Sequence, residues 1–145
     1  MATTLAIIKP DAVARNLTGK ILAHLEERGF RIRGLRMMRL TEEQARAFYA
    51  VHRERPFYES LVRFMTSGPV VPVLLERDDA VAELRRTIGA TDPAEAKEGT
   101  VRALYAESKE RNAIHASDSP ENAALEAAFF FTTAEILETE RPDAG

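Results

Sequence analysis

The sequence places His115 in a run of small polar residues, "RNAIHASDSPEN", directly before the start of a helical pattern. An imidazole can serve as a nucleophile, a general base or a metal ligand. Ser117 and Asp118 follow it closely, and the helix start beside them favours anions because its first backbone N–H groups are free. Ser117 is a candidate nucleophile only with a base beside it. From these residues alone, a reactive imidazole and an ordinary hydrogen-bonded histidine are both open.

The remaining residue types exclude several other kinds of site. His24 and His52 fall within helical patterns among charged residues, which indicates solvated or hydrogen-bonded side chains. The chain has no cysteine, so neither a thiolate nucleophile nor a disulfide is available. No HExxH, GxSxG or P-loop pattern occurs. The sequence therefore predicts no metal centre built from protein side chains.

Cationic residues stand at the predicted boundaries between elements and loops. Lys9 lies at a strand end, Arg85 lies late in a helix, and Arg102 lies in "GTVR", with Thr91 between the two arginines. Guanidinium groups bind phosphate oxygens in bidentate fashion, and a neutral imidazole can attack phosphorus. Each arginine also has a simpler interpretation as a solvated surface side chain.

Length and composition predict one domain. The chain has 145 residues, 45% of them hydrophobic, and a mean hydropathy of -0.26. Its 20 Lys and Arg against 23 Asp and Glu give a net charge of -3, so charge alone indicates no polyanion partner. We expect a domain over residues 1–138 and a polar tail over 139–145. The first residues resemble no signal peptide, and no apolar run is long enough to span a membrane, so a cytoplasmic location is expected.

Hydrophobic periodicity and capping signals predict alternating strands and helices. The elements before residue 67 are a strand in "TLAIIK", a helix with Thr18 as N-cap and Gly29 after its end, an exposed or bulged strand in "FRIRGLRMMRL", a helix opened by a Thr41 and Gln44 capping box and ended by Pro56, and a helix in "PFYESLVRFM". In the two central helices, core packing is the default interpretation of Tyr49, Phe57 and Leu61.

The second half is predicted to carry a strand in "SGPVVPVLLE", with Pro72 tolerated only at a sheet edge or outside the ladder, and a helix capped by Asp78 or Asp79. A long loop from Ala90 to Ser119 follows, with only short regular pieces at best, and loops of that length are commonly functional or disordered. Ser119 and Pro120 signal a short helix, and "AAFFF" is predicted as the last strand. This order favours an α/β (α+β) fold, a ferredoxin-like βαββαβ sandwich with a four-stranded antiparallel sheet and helices packed on it.

Six segments together resemble nucleoside diphosphate kinase, in the same order and at similar intervals over about residues 3–138. They are "IIKPDA", "FYAVHRERPFY", "FMTSGPVV", "GATDP", "GTVR" and "NAIHASDSPENAALEAAFFF". The last is highly specific, whereas "SGPV" alone would be weak. The resemblance implies transfer of the terminal phosphate of a nucleoside triphosphate to a nucleoside diphosphate by a ping-pong route through phosphohistidine.

The same resemblance assigns roles residue by residue. His115 would be the nucleophile, attacking through Nδ1, and Glu126 would accept a hydrogen bond from its other ring nitrogen. Ser117 would be a hydroxyl near the histidine. Contacts to the transferring phosphate or the neighbouring sugar hydroxyl are implied for Lys9, Tyr49 and Asn112.

The resemblance also implies how the nucleotide binds. Arg85, Thr91 and Arg102 would clamp the phosphates, with Mg²⁺ bridging phosphate oxygens rather than held by protein side chains. Phe57 would stack on the base, with Leu61 beside it, so broad base tolerance is expected because every base has a π-face. The family forms tetramers or hexamers, so the resemblance implies a homo-oligomer.

Two other functions remain open at this stage. The family usually has glycine where this chain has Ala116, and Ala12 and Leu104 also depart from the common pattern, so a catalytically weakened regulatory member is one alternative. A positive φ at residue 116 would strain an alanine. Nucleic-acid binding is the other, because five arginines cluster around the second predicted strand; they are Arg28, Arg31, Arg33, Arg36 and Arg39.

Overall fold

The computed structural model describes residues 2–140, and its centre is a four-stranded antiparallel sheet. The strands are β1 (Ala2–Ile8), β2 (Arg31–Leu35), β3 (Val71–Arg77) and β4 (Ile114–Ala116). Their order across the sheet is β2-β3-β1-β4, and every neighbouring pair is antiparallel. This order is that of a ferredoxin-like βαββαβ sandwich, so the predicted fold is confirmed.

Eight α-helices connect and cover these strands within the described residues. They are α1 (Pro10–Ala14), α2 (Thr18–Glu27), α3 (Glu42–Phe48), α4 (Tyr58–Met65), α5 (Ala80–Ile88), α6 (Val101–Tyr105), α7 (Pro120–Phe130) and α8 (Thr133–Glu138), with a 3₁₀ turn at Ala50–His52 between α3 and α4. None of the helices in this part of the chain is long and apolar enough to cross a membrane.

Both faces of the sheet are buried, which explains why its central strands are continuous apolar runs. In β1, Ala6 and Ile8 point to one core, where α2 and α5 pack, and Leu5 and Ile7 point to the other, where α3, α4 and α7 pack. Alternate residues of a strand face opposite sides of the sheet, so each strand contributes side chains to both cores. The middle residue of β4 pairs with Ile7, so its side chain lies on the face of the sheet that α3 and α7 cover.

One prediction in the second half was wrong. "AAFFF" is the end of helix α7 and Phe131, because a short apolar run does not distinguish a strand from a buried helix. The stretch from Ala90 to Ser119 carries two short elements, α6 and β4, as expected for a loop with only short regular pieces, and His115 lies on the second of them. Helix α8, opened by a Thr132 and Glu135 capping box, was not predicted.

Several local predictions can be compared with the caps and strand edges. The Thr41 and Gln44 capping box and the Ser119 cap are confirmed. Thr18 is the first residue of α2 rather than its cap, and Asp79 occupies the cap position of α5 without a side-chain bond. β2 is an edge strand with a register shift between Ile32 and Gly34, as the bulged pattern predicted.

Pro72 was expected at a sheet edge or outside the hydrogen-bond ladder; it is not on an edge strand, because β3 lies between β2 and β1 and Pro72 pairs with Ile7. Its carbonyl accepts from the Arg36 N–H, which lies beyond the last residue of β2. Within a strand, the N and O of one residue point to the same neighbour. The missing N–H of Pro72 therefore faces the point where β2 ends, and the ladder to β1 is not interrupted.

The arginines around β2 are engaged within the protein. Arg31 and Arg33 both pair with Glu76 and also donate to carbonyls of Thr139 and Ile136 near the end of α8. The other three donate to backbone carbonyls, namely Arg28 to Gly99, Arg36 to Phe130 and Arg39 to Thr66. These side chains connect elements, which does not favour a nucleic-acid surface. The domain boundary at residue 138 stays a prediction, and residues 141–145 of the predicted tail lie outside the described residues.

Candidate active site

His115 occupies the middle of β4 and faces the side of the sheet opposite its neighbours. Ile114 and Ala116 belong to the core beneath α2 and α5, whereas the His115 ring meets Phe48 and Tyr49 edge-on, with centroid separations of 5.5 and 6.1 Å. The strand is held in place by pairing with β1. The imidazole is therefore fixed by a strand and two aromatic rings rather than by a loop.

Glu126 fixes the orientation of the imidazole. Its Oε1 lies 2.7 Å from His115 Nε2, and the same oxygen accepts a 2.7 Å hydrogen bond from Ser117 Oγ. Glu126 is one turn from the buried residues Ala123 and Phe130 of α7, so helical periodicity brings it to the sheet. An ionised carboxylate can only accept, so Nε2 carries the proton and Nδ1 keeps a lone pair.

Two arginines donate to the carbonyls on either side of the histidine. Arg102 donates to Ile114 O at 2.7 Å and to Gly89 O at 3.0 Å, and Arg85 lies 3.4 Å from Ala116 O. Burial, followed by the charge of Arg85, lowers the pKa of Arg102 to about 10. Within residues 2–140, neither arginine forms an ion pair. Their charge is therefore free to hold an anion beside His115.

Lys9 adds a third cation where β1 passes into α1. Its backbone N–H donates to Ala113 O at 2.9 Å, and its side chain is buried. Burial, and then the charge of Arg102, lowers the pKa of Lys9 to about 8, although Asp11 and Glu110 oppose the shift. A buried ammonium without a salt-bridge partner in the described residues is costly unless an anion binds it.

Three buried polar atoms near His115 have no hydrogen-bond partner among the described residues. They are Tyr49 Oη, Asn112 Oδ1 and Arg102 Nε. Asn112 Nδ2 lies 3.4 Å from Thr91 O, which joins it to the loop after α5. Burial, and secondarily the Glu126 charge, raises the pKa of Tyr49, so its hydroxyl stays protonated as a donor. Unsatisfied buried groups indicate a polar ligand.

A cleft of about 390 Å³ opens between α5 and α6 and is lined by Arg85, Thr91 and Arg102, among others. Phe57, directly before α4, is 47% exposed and contacts the His52 ring at 5.4 Å, while Leu61 is buried one turn later. The structure thus joins the other predicted site residues around β4 by direct contacts. Phe57 and Leu61 make none of these contacts.

Two residues of this region were missed from the sequence. Phe48 packs against the His115 ring, and Asp11 accepts the Ala113 N–H at 3.1 Å. The strain anticipated at Ala116 is not there, because positive φ angles among non-glycine residues 2–140 occur only at Asn16, Asp79 and Ala113. Ala116 is an ordinary strand residue paired with Ala6.

Comparisons with known proteins agree on one family. The family model described as "Nucleoside diphosphate kinase" matches residues 2–136. The nucleoside diphosphate kinase of Chlorobium chlorochromatii is 59% identical over 137 residues, covering 94% of this chain and 98% of the relative.

Solved structures give the same result. The Aquifex aeolicus nucleoside diphosphate kinase matches with a TM-score of 0.90 and 49% identity, covering 93% of this chain and 98% of that one. The Halobacterium salinarum enzyme, solved in complex with CDP, matches with a TM-score of 0.90 and 39% identity, covering 96% and 93%. This chain therefore belongs to the nucleoside diphosphate kinase family.

Proposed function

We propose that this chain transfers the γ-phosphate of a nucleoside triphosphate to a nucleoside diphosphate through a phosphohistidine at Nδ1 of His115. The observation that carries the proposal is the 2.7 Å contact between His115 Nε2 and Glu126, because an accepting carboxylate favours the neutral tautomer with its proton on Nε2 and its lone pair on Nδ1. Three cations without ion-pair partners in residues 2–140, Lys9, Arg85 and Arg102, surround the same strand segment. A nucleophile among cations is what phosphoryl transfer requires.

In the first half-reaction, the Nδ1 lone pair forms a bond to the γ-phosphorus. The bond from that phosphorus to the β,γ-bridging oxygen breaks, and the nucleoside diphosphate leaves with the electron pair. The ring gains positive charge, which Glu126 stabilises through the Nε2 proton. In the second half-reaction, a terminal oxygen of the acceptor diphosphate attacks the phosphorus, and the histidine regains its lone pair.

The other residues bind and orient. Arg85, Arg102 and Thr91 clamp the phosphates. Lys9, Tyr49 and Asn112 supply an ammonium, a hydroxyl and an amide toward the transferring phosphate or the sugar hydroxyl; the unpartnered Tyr49 Oη and Asn112 Oδ1 support this assignment.

We propose Mg²⁺ as the cofactor of this phosphoryl transfer. No group of three or more His, Cys, Asp or Glu side chains among residues 2–140 could hold a metal ion. We propose that the ion would arrive bound to the nucleotide phosphates, where it would neutralise charge. Arg85 and Arg102 would hold the phosphates to which it is bound.

Phe57 is proposed to stack on the base, with Leu61 supporting it from below. Its exposed ring and the CDP bound to the Halobacterium relative support a site that accepts a pyrimidine as well as purines. Stacking discriminates little among bases, so broad tolerance follows.

We also propose a homo-oligomer, a tetramer or hexamer, in a cytoplasmic location. The exposed edge strand β2 supports the assembly, because Leu35 on it and Met37 just beyond it are 51% and 60% exposed. Light scattering at working concentration should report a mass several times 16.2 kDa, and a monomer would overturn this part.

The experiment for the activity is a two-substrate assay with ATP as donor and GDP or CDP as acceptor, in Mg²⁺. A ping-pong enzyme gives parallel double-reciprocal plots as the acceptor is varied at fixed donor concentrations. Intersecting lines would contradict the covalent route, and no product would contradict the activity. The regulatory alternative predicts the second of these results.

A further inference from the structure

A strained turn lies directly before the histidine strand. Ala113 has a φ of 73°, in the left-handed region that favours glycine, and the Ile114 N–H donates to Asn112 O at 2.9 Å. A hydrogen bond between residues two apart, around a central positive φ, is a γ-turn of the rare and strained type. A non-glycine residue stays in such a conformation only when its surroundings enforce it.

The enforcing contacts come from the segment after β1. Asp11 Oδ2 accepts the Ala113 N–H at 3.1 Å, and the Lys9 N–H donates to Ala113 O at 2.9 Å. The backbone N–H and carbonyl of Ala113 are therefore both hydrogen-bonded, to Asp11 and Lys9 respectively. Asp11 is 1% exposed, and its Oδ1 has no partner within residues 2–140. Burying a half-satisfied carboxyl is costly, so stability alone does not explain it.

The turn connects two groups of the proposed active site. Asn112 is its first residue, and His115 directly follows its last. A relaxation of Ala113 toward an ordinary φ would redirect the chain on both sides. We propose that Asp11 is a positioning residue for phosphoryl transfer, whose carboxylate keeps the 112–114 turn strained and thereby sets Asn112 and His115 in their reactive arrangement. This inference rests on the proposed function.

Charge gives Asp11 a second effect, on Lys9. Arg102 disfavours the charged form of Lys9, whereas Asp11 and Glu110 favour it. Removal of the Asp11 charge should therefore lower the pKa of Lys9 further below about 8. The rate should then decline at a lower pH than in the wild type.

The test compares Asp11→Ala, Asp11→Asn and the double variant Asp11→Ala with Ala113→Gly. Each is measured for single-turnover phosphorylation from Mg·ATP, for the dissociation constant of ADP and for thermal unfolding. Asp11→Ala should slow phosphorylation by about 10²-fold, since a shift of about 1 Å can cost that much, with ADP affinity little changed. Asp11→Asn keeps an acceptor oxygen, so it should retain most of the rate well below pH 8 but lose it at lower pH than the wild type.

Glycine at position 113 should rescue the Asp11→Ala variant by about fivefold or more, because it removes the penalty on a positive φ. The matched control is Asp79→Gly in the same background, which relieves another left-handed residue, φ 53°, outside the turn. Asp79→Gly should give no rescue. If Asp11→Ala does not fold, Asp11→Ser replaces it, since the shorter hydroxyl does not span to the Ala113 N–H.

A wild-type transfer rate in folded Asp11→Ala, or equal rescue by both glycine substitutions, would overturn the inference while leaving the proposed function intact. Failure of the proposed function is separate, because the wild-type protein would then form no phosphohistidine. In that event the NMR coupling constants of Ala113 test whether Asp11 holds the 112–114 turn. A φ that stays positive in Asp11→Ala overturns the inference, and a φ that relaxes to a negative value supports it.

Discussion

Replacing Glu126 with glutamine removes a charge from the active site and little else. The carboxylate Oε1 accepts from His115 Nε2 and from Ser117 Oγ, both at 2.7 Å. The amide oxygen of glutamine can accept the same two bonds, so the geometry should persist. What is lost is the negative charge that stabilises the imidazole as it becomes positive in the transition state.

The magnitude follows from the burial of the pair. The His115 and Glu126 side chains are 20% and 21% exposed, so water screens their interaction only in part. A charge-assisted hydrogen bond exceeds a neutral one by about 1–2 kcal/mol. Since about 1.4 kcal/mol corresponds to a tenfold change in rate, Glu126→Gln should slow phosphorylation by about 5- to 30-fold.

The assay is rapid-quench single-turnover phosphorylation with γ-labelled ATP. Glu121→Gln is the matched control, because Glu121 lies in the first turn of the same helix and is exposed. It should leave the rate unchanged. A wild-type rate in folded Glu126→Gln would refute the reasoning that the carboxylate charge stabilises the developing imidazolium.

Four further predictions concern the cation cluster, the base site and Ala116. Because deprotonation of Lys9 removes a phosphate-binding charge, kcat/KM should fall as pH rises through about 8, and Lys9→Arg should remove that decline up to about pH 10. The same burial means that Lys9→Met should raise the free energy of unfolding of the ligand-free protein by about 2–4 kcal/mol below pH 8. The pKa of Lys9 in the folded protein lies below its unfolded value of 10.5. The gain in the free energy of unfolding from Lys9→Met should therefore shrink between about pH 8 and 10.5 in denaturant titrations, and a pH-independent gain would contradict this prediction. Phe57→Ala should weaken ADP and CDP binding alike by about 1–3 kcal/mol in calorimetry, whereas loss for one base alone would argue against simple stacking. Ala116→Gly should not raise kcat and should lower stability by about 0.5–1 kcal/mol, because Ala116 has ordinary strand geometry; a faster enzyme would revive the weakened-member alternative.

Patterns of local sequence predicted most of the fold. The apolar runs of β1 and β3, the bulged pattern of β2 and the Thr41 capping box are local signals, and such signals placed three strands and most of the first five helices correctly. β4 was missed because its three residues have no pattern of their own and form a strand only by pairing with β1. "AAFFF" was misread because periodicity needs a longer window, in which Ala123, Ala127 and Phe130 share one buried helical face.

The residues of the candidate active site also fall into two groups, those that the sequence indicates and those that it does not. Lys9, Arg85 and Arg102 could be selected from charge and position, and the motif around His115 suggested Glu126 by resemblance. Phe48 and Asp11 could not be selected, because their contacts join segments far apart in sequence. Strain was expected at Ala116 only if its φ were positive; the positive φ lies instead at Ala113, where long-range hydrogen bonds to the Lys9–Asp11 segment outweigh the local preference of alanine.

The central claim is that His115 carries the phosphate during turnover. The most direct measurement mixes the protein with Mg²⁺ and γ-labelled ATP without acceptor, follows acid-labile label on the protein, and then adds a nucleoside diphosphate. We expect label on the wild type and on His24→Ala and His52→Ala, its discharge into new triphosphate, and no label on His115→Ala. Label that persists in folded His115→Ala, or no label on the folded wild type, would contradict it.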